Sequence, residues 1–262
     1  MFTRISSILF LFSVSLSGLA QSVKTSNPDS LKLSTQDVVN FWSAYDQLVT
    51  ATNYSDSLLI IDRQYLAKAS YGLKSYQQLS NSDAGSFVKV IRTHPKLLQS
   101  IRPNTLAIAK FKEPILEGAR KLKQIYPASI FPELFFCMGK FEVKGSQPGD
   151  ILYIGAELNS LTEKSPRDEI TNPYVRAGAG NFDELDAVCL HEITHFQQQL
   201  VPKTNMELAL LEGGAEFITH FVTGKSTMQS VSNSKERAAA IRRSIIQRCT
   251  VFPVWRCIKL VK

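Results

Sequence analysis

The sequence predicts an α+β fold. Three observations carry that expectation: helix-period apolar spacing from Ser34 to about Ser129, a switch after Pro127 to two short runs rich in aromatic and β-branched residues, and a return to helical spacing from Asn181 onward. At 262 residues, 44% hydrophobic and 20% charged, the chain is long and apolar enough to bury a substantial core. The segments read as residues 1–20, a leader; 21–129, a helical region; 130–225, the part that carries the chemistry; and 226–262, a basic tail.

The leader comes first. Arg4 precedes the run "ISSILFLFSVSLSGLA", and small Gly18 and Ala20 stand at minus three and minus one from a cut before Gln21. A serine-broken run shorter than the roughly 20 residues of a membrane span reads as a secretory signal peptide, which predicts an exported, periplasmic or secreted protein. Export places Cys137, Cys189, Cys249 and Cys257 where thiols pair, with three connectivities open. Cys189 falls on the apolar side of its helix and reads as a small buried hydrophobe.

The helical region follows. Ser34 and Asp37 form an S-x-x-D start signal ahead of Val38, Phe41, Trp42, Tyr45 and Leu48. Further helical stretches are expected over 57–71, 86–99 and 106–125, with His94 at a helix end before Pro95. Beyond Pro127, "ELFFCMGKFEV" and "DILYIGAELN" read as two strands joined by the loop "KGSQPG", a small antiparallel pairing. A polar stretch with Pro166, Pro173, Gly178 and Gly180 then reads as a functional loop.

The last helical pair holds the distinctive residues. "FDELDAVCLHEITHFQQQLV" runs without a breaker to Pro202, with Phe182, Leu185, Cys189, Ile193, Phe196 and Leu200 on one stripe. His191 and His195 fall together off that seam, one turn apart, where a pair of imidazoles converges on one ion; Glu192 between them is placed as a base. By composition alone such a His-Glu-x-x-His would occur in roughly 0.003 of chains this long, so chance is the weaker account. Thr204 and Glu207 make a capping box that starts a second, antiparallel helix after the Pro202 break. Measured from the turn, the histidines lie roughly 14 Å along one arm and Glu212 roughly 14 Å along the other, so Glu212 is expected as the third ligand of a Zn2+ ion. Glu216, a turn further, is left to orient an imidazole. His220 shares that face, as a structural partner of Glu216 or a donor to an oxyanion. Gly213 and Gly214 imply either close approach to the neighbouring helix or a break.

The net charge of +7 resides from Gln229 onward, where eight basic residues face only Glu236; the rest balances at 22 basic and 22 acidic. Such a tail is a solvated face or a weak contact to an anionic membrane. No nucleic-acid motif accompanies it.

"HEITH" followed after 16 residues by "EGGAEF" resembles the gluzincin zinc metallopeptidases, closest to bacterial families of predicted zinc-dependent proteases of unknown function. The resemblance covers about residues 130–225 and implies a zincin-like fold in which His191, His195 and Glu212 ligate zinc and Glu192 is general base. "YIGAELN" is similar to the Gly-Ala-Met-Glu-Asn strand of aminopeptidase N relatives, which implies that Gly155, Ala156 and Glu157 line a peptide-binding edge, with Glu157 one position early. The family supplies a Tyr or His after the glutamate, whereas Tyr174 is the last tyrosine here. The tail "RSIIQRCTVFPVWRCIKLVK" has no counterpart in it, and an alteration after about Gly224 is expected. Three functions fit, in descending order: a metallopeptidase acting on peptides or proteins, a non-catalytic zincin-like envelope protein that binds a partner or metal without turnover, and a helical cell-surface module whose histidines are incidental.

Overall fold

The computed structural model describes residues 24–198 and 201–227. The expected signal peptide, Leu200, Cys249, Cys257 and the basic tail from residue 228 onward lie outside them. The described residues form an α+β fold of nine α-helices and a small mixed four-stranded sheet. None of these helices is long and apolar enough to cross a membrane.

The chain enters through strand β1 (Leu33–Ser34) and helix α1 (Gln36–Gln47). The S-x-x-D signal does not cap this helix. Thr35 takes the N-cap position without a side-chain bond. Asp37 turns inward, is buried, and accepts bonds from the Ser70 backbone N–H (3.0 Å) and hydroxyl. That contact anchors the start of α3 (Tyr71–Ser80), whose N-cap is Ser70. The stretch expected as one helix over 57–71 divides into α2 (Tyr54–Gln64), capped by Asn53, and a 3-10 turn at Leu66–Lys68. At His94 the chain breaks between α4 (Ala84–Thr93) and α5 (Pro95–Leu106), because the residue before a proline disfavours helical geometry. Helix α6 (Lys112–Ile125) completes the region.

The sheet departs from expectation in one respect. Strands β2 (Leu134–Cys137) and β4 (Leu152–Gly155) run parallel, from Leu134 against Leu152 to Cys137 against Gly155. They are not a hairpin: the intervening chain doubles back and adds β3 (Gly145–Ser146) antiparallel to β4. The order β1-β2-β4-β3 leaves β4 paired on both sides and β3 at an edge. All eight residues of β2 and β4 are buried, which accounts for their continuous apolar runs.

The polar stretch is not one long loop: it contains α7 (Pro173–Gly178), and its Glu169 carboxylate accepts the N–H groups of Lys96 (3.3 Å) and Leu97 (2.8 Å) at the start of α5. Helix α8 (Leu185–Gln197) follows and is buried on most sides. It approaches α6 closely, since a Cβ on Gly118 would lie 2.8 Å from Leu190 Cγ. Helix α9 (Asn205–Thr223) packs beside it and starts at the expected Thr204–Glu207 capping box. It runs unbroken through Gly213 and Gly214. Among the described residues, Cys137 and Cys189 are buried free thiols that do not pair with each other.

Glu157 has a role the sequence did not suggest. It is fully buried and accepts the backbone N–H groups of Gly139 (2.8 Å) and Phe141 (3.3 Å). Phe141 sits at φ 58, a left-handed conformation that bulky residues rarely adopt, so the carboxyl group pins the turn that sends the chain toward β3. Burial pushes this carboxyl up to about 7, opposed by the two N–H donors. A raised native pKa favours the protonated form, so the associated stability is complete below the ordinary carboxylate pKa and is lost as pH rises through about 7. Urea unfolding should therefore show wild type losing about 2–3 kcal/mol relative to Glu157→Gln between about pH 5 and about pH 8.

Candidate metal centre

Helices α8 and α9 bring His191, His195 and Glu212 to one point. The i, i+4 spacing stacks the two imidazoles on one face of α8, their rings edge-on at 84° with centroids 4.6 Å apart. His191 Nε2 and His195 Nε2 are 3.0 Å apart, and Glu212 Oε2 lies 3.3 Å from each. An ion bonded at about 2.0–2.1 Å to three ligands at tetrahedral angles would hold them about 3.3 Å apart, so the triangle has the dimensions of one face of a tetrahedral shell. These three form the only group among the described residues with metal-ligating convergence. Glu212 is 47% exposed while both rings are mostly covered, so the centre opens to solvent on the α9 side.

Each ring is addressed from behind. His195 Nδ1 lies 2.7 Å from Gln198 Oε1. The amide nitrogen of Gln198 is committed as a donor to the Leu211 carbonyl at 3.0 Å, so its oxygen must face the ring. The ring then carries its hydrogen on Nδ1 and turns the Nε2 lone pair to the centre. Gly214 makes room for this amide: a Cβ there would lie 3.1 Å from Gln198 Nε2. The close approach expected of the glycine pair thus applies to Gly214, whereas a Cβ on Gly213 would meet nothing within 4 Å.

His191 Nδ1 faces Glu216 Oε2 at 3.7 Å, longer than a hydrogen bond, and is otherwise buried without a partner among the described residues. Glu216 is held by the chain just past α9, accepting from the Ser226 hydroxyl, the Thr227 N–H (3.1 Å) and the Thr227 hydroxyl (2.6 Å). Lys225 pairs with buried Asp186 at 2.7 Å. Residues 225–227 are therefore built into the centre, although the expected change of character was placed at Gly224.

Glu192 stands on the sheet side. Its carboxyl packs on β3 so closely that a Cβ on Gly145 would fall 2.4 Å from Oε1. Burial pushes its pKa up, partly opposed by the two histidines and Lys144. Burial also pulls the Lys144 ammonium down, against the favourable charges of Glu192, Glu184 and Glu216.

Other expected site residues lie elsewhere. Gly155 and Ala156 are buried, and Gly155 N already donates to Lys144 O at 3.0 Å; with Glu157 they belong to an interior strand and its turn, so the expectation of a peptide-binding edge there is corrected. Among the described residues the sheet edge beyond β4 belongs to β3, and the opposite edge to β1. His220 is exposed, and among the described residues its ring has no hydrogen-bond or ionic partner. Gln198, Gly145 and Lys144 escaped the sequence reading. Gln198, three residues beyond His195, was open to a spacing argument; the others are joined to the site only by the fold.

No family model matches the chain, and comparison with curated proteins and with solved structures finds no match.

Burial pulls the His191 ring down, but the Glu212 and Glu216 carboxylates outweigh it and hold its pKa up, to about 9. The same contacts hold both carboxyls well below the usual range, against their own burial. A metal must displace that His191 proton, so the affinity for a divalent metal should climb by up to about tenfold per pH unit until about pH 9. Gln198→Ala should weaken affinity about 10–100-fold at fixed pH. Competition against a chromophoric chelator measures both.

Proposed function

We propose that the protein is a zinc-dependent metallohydrolase, a peptidase of gluzincin type with a zincin-like core, exported by its leader. The observation that carries this reading is the 3.0, 3.3 and 3.3 Å triangle of two imidazoles and a carboxylate with a half-buried carboxyl, Glu192, next in sequence to one of them. Two imidazoles and one carboxylate also suit ferrous iron. Glu192 weighs for hydrolysis, because a positioned proton acceptor next in sequence to a ligand serves water attack.

His191, His195 and Glu212 would hold the ion, with Gln198 fixing one ring and Glu216 facing the other. A bound Zn2+ ion supplies Lewis acidity toward a water and a substrate carbonyl. Glu192 accepts the proton of the attacking water and returns it to the leaving nitrogen; its raised pKa suits a group that must do both. The edge strand β3 supports peptide as the substrate class, since an extended chain can add to a free edge, and this edge lies directly against Glu192.

A second reading, a non-catalytic protein that binds a partner through the same scaffold, has one observation in its favour. Met206, Leu210, Phe217 and Phe221 form an exposed apolar row along α9.

The protein should hold about one zinc per chain by elemental analysis, and His191→Ala should empty the site. Glu192→Gln should keep the metal and lose cleavage of a peptide library by about a hundredfold or more. Zinc binding without cleavage by wild type would favour the partner-binding reading.

A further inference from the structure

We infer that Lys144 anchors a carboxylate on the leaving residue of the substrate, the residue whose nitrogen Glu192 protonates. The inference rests on the peptidase reading above and adds a substrate class to it: peptides with a free carboxylate just beyond the scissile bond. That carboxylate is either the C-terminal α-carboxylate or an Asp or Glu side chain.

Lys144 occupies the position before β3, and its neighbour Gly145 lies against the Glu192 carboxyl. Its backbone is fixed, the carbonyl accepting Gly155 N (3.0 Å) and Asn159 Nδ2 (2.8 Å). Its stem runs close over Gly180: Cε lies 3.1 Å from where a Cβ on that residue would be, so only a glycine leaves the stem this room. Two other lysines close on carboxylates, Lys225 on Asp186 at 2.7 Å and Lys140 on Glu142 at 3.2 Å. Lys144 closes on none. Its ammonium has no hydrogen bond and no carboxylate within 4.0 Å among the described residues, although Glu192, Glu184 and Glu216 are near enough to act on its charge. A mostly covered cation with free donors is costly unless something completes it.

The side of the site decides what that is. Glu192 delivers its proton to the leaving nitrogen, and Lys144 directly precedes Gly145, the strand residue that lies against the Glu192 carboxyl, so Lys144 belongs to the side of the leaving residue and not to that of the acyl half. In any peptide the α-carboxylate carbon of a terminal residue is about 2.5 Å from its own nitrogen, two bonds away. A cation at this place therefore meets the carboxylate of a C-terminal leaving residue, or an acidic side chain on it.

The test uses full-length, zinc-loaded protein and synthetic peptides in matched pairs: free or amidated C-terminus, and Asp or Asn at the leaving position. Cleavage by wild type is followed as KM and kcat, and binding to Glu192→Gln protein by fluorescence anisotropy. One of the two carboxylates should be preferred over its neutral partner by about tenfold or more, in KM and in binding; which pair responds identifies the source. Lys144→Met should erase the preference while the melting temperature holds or rises, and Lys144→Arg should retain most of it. Gly180→Ala, which keeps the lysine but crowds its stem, should weaken it. Equal handling of both members of each pair by wild type, or a preference that survives in Lys144→Met, overturns the inference while leaving the peptidase reading intact. Failure to bind or cleave any peptide with zinc in place overturns both.

Discussion

Two imidazole nitrogens held 3.0 Å apart, with a carboxylate oxygen 3.3 Å from both, form the constraint around which this part of the molecule is organised. Lone pairs converging at that distance repel one another unless a proton or a cation lies between them. The arrangement therefore needs enforcement from outside the triangle. Part of it is the i, i+4 stacking on α8. The rest comes from α9, through a relay in which the Leu211 carbonyl orients Gln198 and Gln198 orients His195, while Glu216 faces His191 and is gripped by Ser226 and Thr227. Glu212, the oxygen member of the triangle, belongs to the same helix, so the register between α8 and α9 sets ligand distance and ring orientation together.

The sheet supplies the other wall. Close contact of Gly118 with Leu190 lets α8 sink against α6, and Gly145 lets the Glu192 carboxyl lie on β3. Strand β3 reaches that place because the chain after β2 turns through Phe141 at φ 58 under the hold of buried Glu157. A carboxyl group far from the triangle thus governs the edge that lies against it. This buried acid is expensive to keep ionised, and its two backbone donors account for its presence.

Much of the triangle could be read from the sequence because it depends on local periods. His191 and His195 share a face by helical spacing, and Thr204 with Glu207 marks the next helix start, so arm lengths brought Glu212 alongside. Where reading failed, long-range pairing had overridden a local signal. Asp37 satisfied a capping pattern but is taken by Ser70, 33 residues away. The runs containing β2 and β4 resembled a hairpin, yet pair in parallel because the chain connecting them forms a third strand, β3, which pairs on the far side of β4. That change of order moved the free edge from Gly155 to Gly145 and left Glu157 inside.

The sequence by itself determined the α+β class, the two-helix hairpin and the residues of the triangle, since each follows from a period or a cap within about twenty residues. Only the tertiary structure decided which strand lies at the edge next to Glu192, which side chains stand behind the imidazoles, and that Lys144 finds no carboxylate within 4.0 Å among the described residues. Those depend on packing distances between segments far apart in the chain, and no local pattern encodes them.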